Sequence, residues 1–255
     1  MTGLPPGTIL QLLYFKERMK LLGKGSRFLD IGSGNGMLSS LLLKLGLNGV
    51  AIDLNAEACK KNSTTNLKYI QNNQFKVIHG DLLEYNDDEK FDLILACMVI
   101  EHLPDNSLKL FINQCKKKMR TGGRLVFFVP ASMNYWGIED EIAGHILRYE
   151  KNDVIELANK MDLKLLHLAG LTYPLSNFLF RLSNNIISRN ESDKLNLSQT
   201  ERTVYTGNRE VNYKTQFPRI FNLVLNEYAL YPLHVLQKFF IKNRKSMVIY
   251  MELTK

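Results

Sequence analysis

Leu29-Asp30-Ile31-Gly32-Ser33-Gly34-Asn35-Gly36 is the stretch that decides the fold. It grows out of Arg27 to Ile31 (RFLDI), which reads as a buried strand, and runs into Met37 to Leu45, an apolar segment that reads as a helix stopped by Gly46. Glycines at such a junction let the chain turn tightly and let a ligand come close to the backbone. The helix that follows offers N–H groups that lack partners in its first turn.

On both sides of this loop, strand and helix patterns alternate. Residues 8–22 form an amphipathic helix opened by Pro5, Pro6 and Thr8. Gly49 to Asp53 (GVAID) is a second strand, Ala56 to about Gln71 a helix, and Phe75 to His79 (FKVIH) a third strand. Phe91 to Val99 (FDLILACMV) has the unbroken apolar run of a strand covered on both faces. A helix over Ser107 to Met119, a strand over Gly123 to Val129, a helix over Lys151 to Met161 and a strand near Leu163 to Leu168 follow. This rhythm means βαβ units, right-handed crossovers and a parallel sheet. It breaks after residue 174. We read 1–174 as the core with an N-terminal lid helix, 175–245 as a mainly helical insertion on the acceptor side, and 246–255 as a final strand.

Totals narrow the function classes. The chain has 255 residues, 45% of them hydrophobic and 23% charged, which suits a globular domain with a substantial core. Cys59, Cys97 and Cys115 are far apart and odd in number, so neither a disulfide framework nor a zinc site is read from them, and the metal expectation is none. A reducing, cytoplasmic setting is expected. No apolar run is long enough to span a bilayer, and the charged N-terminal helix does not read as a signal peptide. Net charge is +8, unevenly spread: residues 1–169 carry +2 and residues 170–255 carry +6. Such a bias suits an anionic partner, though a solvated surface explains it equally well.

The loop's spacing selects the ligand. Dinucleotide enzymes want G-x-G-x-x-G with pyrophosphate at the helix N-terminus. Here the glycines run G-x-G-x-G, and Leu38 is no third close-packing glycine. A carboxylate at Asp30 repels a pyrophosphate but suits an ammonium group. S-adenosylmethionine carries an amino group and a sulfonium and has no phosphate. Asp53 ends the second strand, where a carboxylate can accept both ribose hydroxyls. Asp81, after the third strand, can accept from an adenine amino group while Leu82 packs on the ring. Taken singly, Asp30 can be a dipole-complementing acid, and Asp53 and Asp81 loop caps.

The ordered set LDIGSGNG, AIDLN, HGDLLEY, FDLILACMVIEHLPD and GGRLVFFVP resembles class I S-adenosylmethionine-dependent methyltransferases, most of all the branch of quinone and natural-product O-methylases. The resemblance covers roughly residues 25–170. It implies an α/β fold: a Rossmann-like, mostly parallel seven-stranded sheet with helices on both faces and a helical insertion before an antiparallel last strand set beside the sixth. It implies a cofactor set of Asp30, Gly32, Ser33, Gly34, Asn35, Gly36, Asp53, Leu54, Asp81, Leu82, Cys97 and Met98.

Methyl transfer is an in-line displacement in which alignment does most of the work. A base is needed only when the acceptor must lose a proton. His145 and His102 are the candidate bases, with Glu101 behind them. His102 sits in a Glu-His-Leu turn common in the family, which favours a structural role. His145 opens Gly144-His145-Ile146-Leu147-Arg148-Tyr149, and many relatives carry a similar pattern that shapes the acceptor side. If the acceptor is already an anionic oxygen, Arg148 with basic residues of 175–245 (Arg181, Arg189, Arg202, Arg209 and Lys214 are not ranked) clamps it. Gln11, Tyr14, Tyr135 and Trp136 complete the acceptor-side set.

The expectation is therefore an S-adenosylmethionine-dependent enzyme acting on an oxygen of a small polar or anionic metabolite, with surface-glycan biosynthesis as one home. The alternatives are an RNA- or nucleotide-modifying methylase, a quinone- or lipid-precursor O-methylase at the membrane surface, and a non-catalytic scaffold of the same fold. No stable nucleic-acid partner and no transmembrane segment are expected, and the oligomeric state is open. Residues 231–245 are apolar and basic, and a core helix with a charged end is favoured for them over a membrane contact.

Overall fold

The computed structural model describes residues 3–191, 196–197, 202 and 217–255. Seven strands form one sheet: β1 (Arg27–Ile31), β2 (Asn48–Asp53), β3 (Phe75–His79), β4 (Phe91–Cys97), β5 (Met119–Pro130), β6 (Lys164–Leu171) and β7 (Val248–Thr254). Their order is β3-β2-β1-β4-β5-β7-β6. β7 lies antiparallel between β5 and β6, and the pairs among β1 to β5 are parallel. The last strand thus takes the place the resemblance implied.

Alternation along each strand sorts the side chains onto two faces. Leu29, Ile31, Ile94, Ala96, Leu125 and Phe127 pack on one face against α5 (Asp105–Lys118) and α7 (Lys151–Lys160). Phe28, Leu93, Leu95, Val126, Phe128 and Tyr250 pack on the other against α1 (Pro6–Met19) and α2 (Met37–Lys44). Helices on both faces leave the strand ends as the place where a ligand can reach the backbone.

The long helix expected over 56–71 is two: α3 (Ala56–Thr65) and α4 (Leu67–Gln71), broken at Asn66. Asn66 donates from Nδ2 to the Gly36 carbonyl at 3.2 Å and to Asn62 Oδ1 at 2.9 Å. Tertiary bonds to the glycine loop accompany this break, a signal that periodicity does not carry. β5 begins at Met119, inside the segment expected as helix, and β6 runs on to Leu171. α6 (Ile138–Ala143) follows β5.

Two α-helices, α8 (Leu175–Glu191) and α9 (Tyr231–Phe239), and a short 3-10 helix, Arg219–Leu223, are described within the 175–245 segment. Both α-helices pack on α1, and α8 also touches α6. On α9, Gln237 is buried, accepts from the Thr172 N–H at 3.0 Å and donates to the Leu10 carbonyl at 3.0 Å. Those bonds fasten α9 to the body of the domain. Among the described residues no helix is long and apolar enough to cross a membrane.

Candidate functional site

The C-terminal ends of β1, β2 and β4 stand in register, with Ile31 beside both Ile52 and Ala96. The glycine loop leaves from this row. Gly32, Gly34 and Gly36 all have positive φ, a backbone state that L side chains rarely adopt. At Gly32 a Cβ would also lie 2.6 Å from Val99 Cγ2, so the Val99 side chain just past β4 would have to shift to admit one.

Asp53 organises this loop. Its Oδ2 accepts the Gly34 N–H at 2.7 Å and its Oδ1 accepts the Asn55 N–H at 2.8 Å. Ser33 is braced from the helix side, where its Oγ accepts from Asn62 Nδ2 at 3.0 Å. Asn35 Oδ1 accepts from the Met37 N–H at 3.3 Å, at the start of α2. Asn62 and Asn66 were absent from the expected site. Their spacing of four on a helix was the available signal, since it sets both on one face.

Asp30 is buried, and its Oδ2 accepts the Ser39 hydroxyl at 2.6 Å. Burial pushes its carboxyl up to about 7, with the Asp53 carboxylate adding to the rise. Asp81 Oδ1 accepts the Leu83 N–H at 2.9 Å and so caps the turn that follows it, while Leu82 is buried and Leu54 is exposed. All three acids therefore stand at strand ends, each engaged with its own chain: Asp30 inward, Asp53 to the loop, Asp81 to its turn.

Beyond β4 the chain bends sharply. Met98 has positive φ and donates its N–H to the Phe128 carbonyl at 2.9 Å. A short 3-10 helix, Ile100–His102, follows. The loop after α6 is tied to it, because Ile146 donates its N–H to the Glu101 carbonyl at 2.9 Å and Tyr149 Oη donates to the Ile100 carbonyl at 3.3 Å. Residues 43 apart in sequence thereby meet: the His102 and His145 rings lie 4.8 Å apart, centre to centre.

Glu101 completes this cluster. It is fully buried, and neither side-chain oxygen has a hydrogen-bond partner. Burial pushes its carboxyl up to about 8. Burial likewise pulls His102 down to about 4, helped by the neighbouring His145 ring. Burial raises the Cys97 thiol, and the Glu101 and Asp30 carboxylates add to the rise.

His145 is oriented from behind. Its Nδ1 lies 2.8 Å from Asp140 Oδ1, which also accepts from Arg148 Nε at 2.8 Å. Arg148 NH1 donates to the Ala131 carbonyl at 3.2 Å. Arg148 is thus buried and turned inward, where its contacts hold Asp140 and the loop. Trp136 and Arg202, with Glu141, Gly144, His145 and Ile146, line a cleft of about 490 Å³. A second hollow, of about 580 Å³, opens at Gly49 and Phe75, the opposite ends of β2 and β3.

The remaining acceptor-side candidates spread out. Tyr14 is buried among core aromatics, with its hydroxyl 2.8 Å from His167 Nε2 and its ring against Tyr250, so packing accounts for it. Gln11 is half-buried on the same helix. Tyr135 packs edge-on against Phe180 of α8 at 5.6 Å. Arg181 and Arg189 are exposed on α8, whereas Arg209 and Lys214 lie outside the described residues.

Comparison with known proteins adds family evidence to this geometry. The family described as "Methyltransferase domain" matches residues 8–168. A ubiquinone biosynthesis O-methyltransferase from Pelagibacter ubique is 26% identical over 179 residues, covering 64% of this chain and 71% of that protein. The chain spans only about half the length of other relatives of that name, such as the 52% matched in the Pseudomonas fluorescens protein. Among solved structures, a proposed sarcosine dimethylglycine methyltransferase from Galdieria sulphuraria superposes with a TM-score of 0.59 at 16% identity, over 97% of this chain and 84% of that one. The magnesium protoporphyrin IX methyltransferase of Synechocystis, solved with S-adenosylmethionine bound, gives a TM-score of 0.53 at 15% identity, over 65% and 74% of the two chains. At such identities the structural likeness shows the shared fold.

Proposed function

We infer the function from one premise: this chain belongs to the methyltransferase domain family, and it is an S-adenosylmethionine-dependent methyltransferase. The observation that carries a more specific reading is the adjacency, just past β4, of the glycine loop and the Glu101–His102–His145 cluster: Gly32 backs onto Val99, the residue from which the Ile100–His102 turn starts. The loop holds the donor and the cluster faces the acceptor.

In this reading Gly32 to Gly36 wrap the methionine part, Asp53 takes the ribose hydroxyls, and Asp81 with Leu82 flanks adenine. Leu54, Cys97 and Met98 border the nucleoside and sulfonium. Asp53 would exchange its bond to the Gly34 N–H for bonds to ribose. Asp30 acts behind the loop, where a cationic donor lowers its raised proton affinity.

The acceptor is a hydroxyl of a small molecule entering beside Trp136. Two features support an oxygen that must lose its proton over an oxyanion that is already charged: Arg148 is tied inward, and the acceptor side holds titratable groups. The O-methyltransferase relatives favour the same atom. His145, oriented by Asp140, is the candidate base, as in other histidines set by a carboxylate. His102 supports the loop through Gly144, whose carbonyl lies 3.2 Å from its Nδ1. In the displacement the acceptor oxygen bonds the methyl carbon as the carbon–sulfur bond breaks, and S-adenosylhomocysteine leaves.

The test is transfer of a labelled methyl group from S-adenosylmethionine to a panel of phenols, sugar hydroxyls and carboxylates. Label in a hydroxyl compound, with matching S-adenosylhomocysteine, is expected. Label in carboxylates or nucleic acid alone would overturn the hydroxyl assignment.

A further inference from the structure

We propose that Glu101, His102 and His145 form a binding site for a divalent transition-metal ion that holds the acceptor oxygen. The proposal rests on the acceptor assignment above for the role of the ion, and on the structure alone for the site.

Each of the three residues offers one donor atom, and these atoms lie within 4.8 Å of one another. A tetrahedral ion with bonds of about 2.1 Å keeps its donors about 3.4 Å apart, so a small inward movement closes the set. Glu101 Oε1 and His145 Nε2 are 3.8 Å apart, too far for a hydrogen bond and near the span of two ligands across an ion.

The second observation is the unpartnered carboxylate. Burying a carboxyl with neither oxygen bonded costs several kcal/mol unless a cation or proton compensates. Glu101 is 0% exposed, with both oxygens lacking a partner. His145 approaches it in the manner of a metal ligand: Nδ1 is held by Asp140 at 2.8 Å, which sets the tautomer and directs Nε2 toward Glu101. Arg148 in turn fixes Asp140. His102 Nδ1 faces the Gly144 carbonyl at 3.2 Å, which makes Nδ1 the protonated nitrogen and Nε2 the donor atom.

Two imidazoles and one carboxylate suit zinc, cobalt, manganese or iron in the divalent state, and magnesium or calcium less well. Three protein donors leave a coordination position open. An acceptor hydroxyl bound there gives up its proton to solvent more readily and is held for attack on the methyl carbon; in the metal-loaded site His145 is a ligand, and the ion takes over from it the activation of the hydroxyl. No cysteine takes part, so cysteine spacing carried no hint of the site.

Titration of the full chain, free of cofactor, with zinc by calorimetry and with cobalt(II) by visible absorbance tests the site. One equivalent of each ion is expected to bind, and cobalt to develop d–d bands of low coordination number. Glu101→Gln and His145→Gln should each weaken binding at least about ten-fold. Both variants are checked for native circular dichroism and for S-adenosylmethionine binding. Absence of binding to the wild-type chain, or unchanged affinity in whichever variant folds, overturns the site. Methyl transfer to a hydroxyl with no bound metal would overturn the ion's role in holding the acceptor and leave the acceptor assignment standing. Metal binding with transfer only to carboxylates would do the reverse.

Discussion

Asp53 accepts two backbone N–H groups, from Gly34 and Asn55, and so shapes the loop before any ligand arrives. Charged acceptors in such bonds are worth about 1.5–3 kcal/mol each. Asp53→Ala should weaken S-adenosylmethionine binding more than ten-fold, read by calorimetry; an unchanged affinity would remove Asp53 from the cofactor site. His145 belongs to a different step. His145→Ala should lower kcat strongly while the cofactor affinity stays within about two-fold, because its contacts run to Asp140 and Glu101 and away from the glycine loop. Equal losses in both quantities would show that the substitution collapses the site as a whole. The sequence made the acids visible through their places after strands, but it carried no sign that Asp30 turns inward to Ser39. Side-chain direction depends on neighbours supplied by the next helix.

At the scale of elements, α3 shows how local chemistry and tertiary demand divide the work. Asn55 Oδ1 accepts from the Glu57 N–H at 3.0 Å and the Ala58 N–H at 3.1 Å, which caps the helix. Asn55→Ala should lower stability by about 1 kcal/mol, seen as a lower denaturant midpoint at unchanged slope. An effect near zero would mean that solvent replaces the cap without cost. Asn before a helical run is a local signal for such a start. The break of α3 at Asn66 was not legible, because the bond to the Gly36 carbonyl reaches 30 residues back, outside the local pattern. The 3-10 turn at Ile100–His102 is similar: its partner is the loop after α6, and nothing in either segment announces the other.

The whole molecule is closed by a buried ionic knot near the end of the chain. Glu252 on β7 accepts from Arg18 of α1 at 2.6 Å, from Arg124 of β5 at 3.0 Å and from the Tyr250 hydroxyl at 2.7 Å. Burial by itself would raise this carboxyl, but the bonds from Arg18 and Tyr250 outweigh it and hold the group below its ordinary value of 4.5. A depressed folded value means that the stabilisation is complete above 4.5 and fades as pH falls through the folded value. Glu252→Gln should therefore be less stable than wild type at neutral pH, with the gap narrowing under acid conditions below 4.5. A gap independent of pH would place the loss in packing and not in charge. Leaving Arg18 and Arg124 without their shared carboxylate is the expected source of that loss.

Sequence by itself determined the alternation of strands and helices, the glycine turn after β1 and the acids at the strand ends. Those features follow from periodicity, backbone freedom and helix ends, which are properties of a few neighbouring residues. Only the tertiary structure decided which polar groups meet: Glu101 with His145, Asp140 with Arg148, Asn62 with Ser33, and Arg18 with Glu252. Such pairs join residues from 8 to 234 positions apart. They exist because packing two helical layers on one sheet brings the segments together, so no local pattern encodes them.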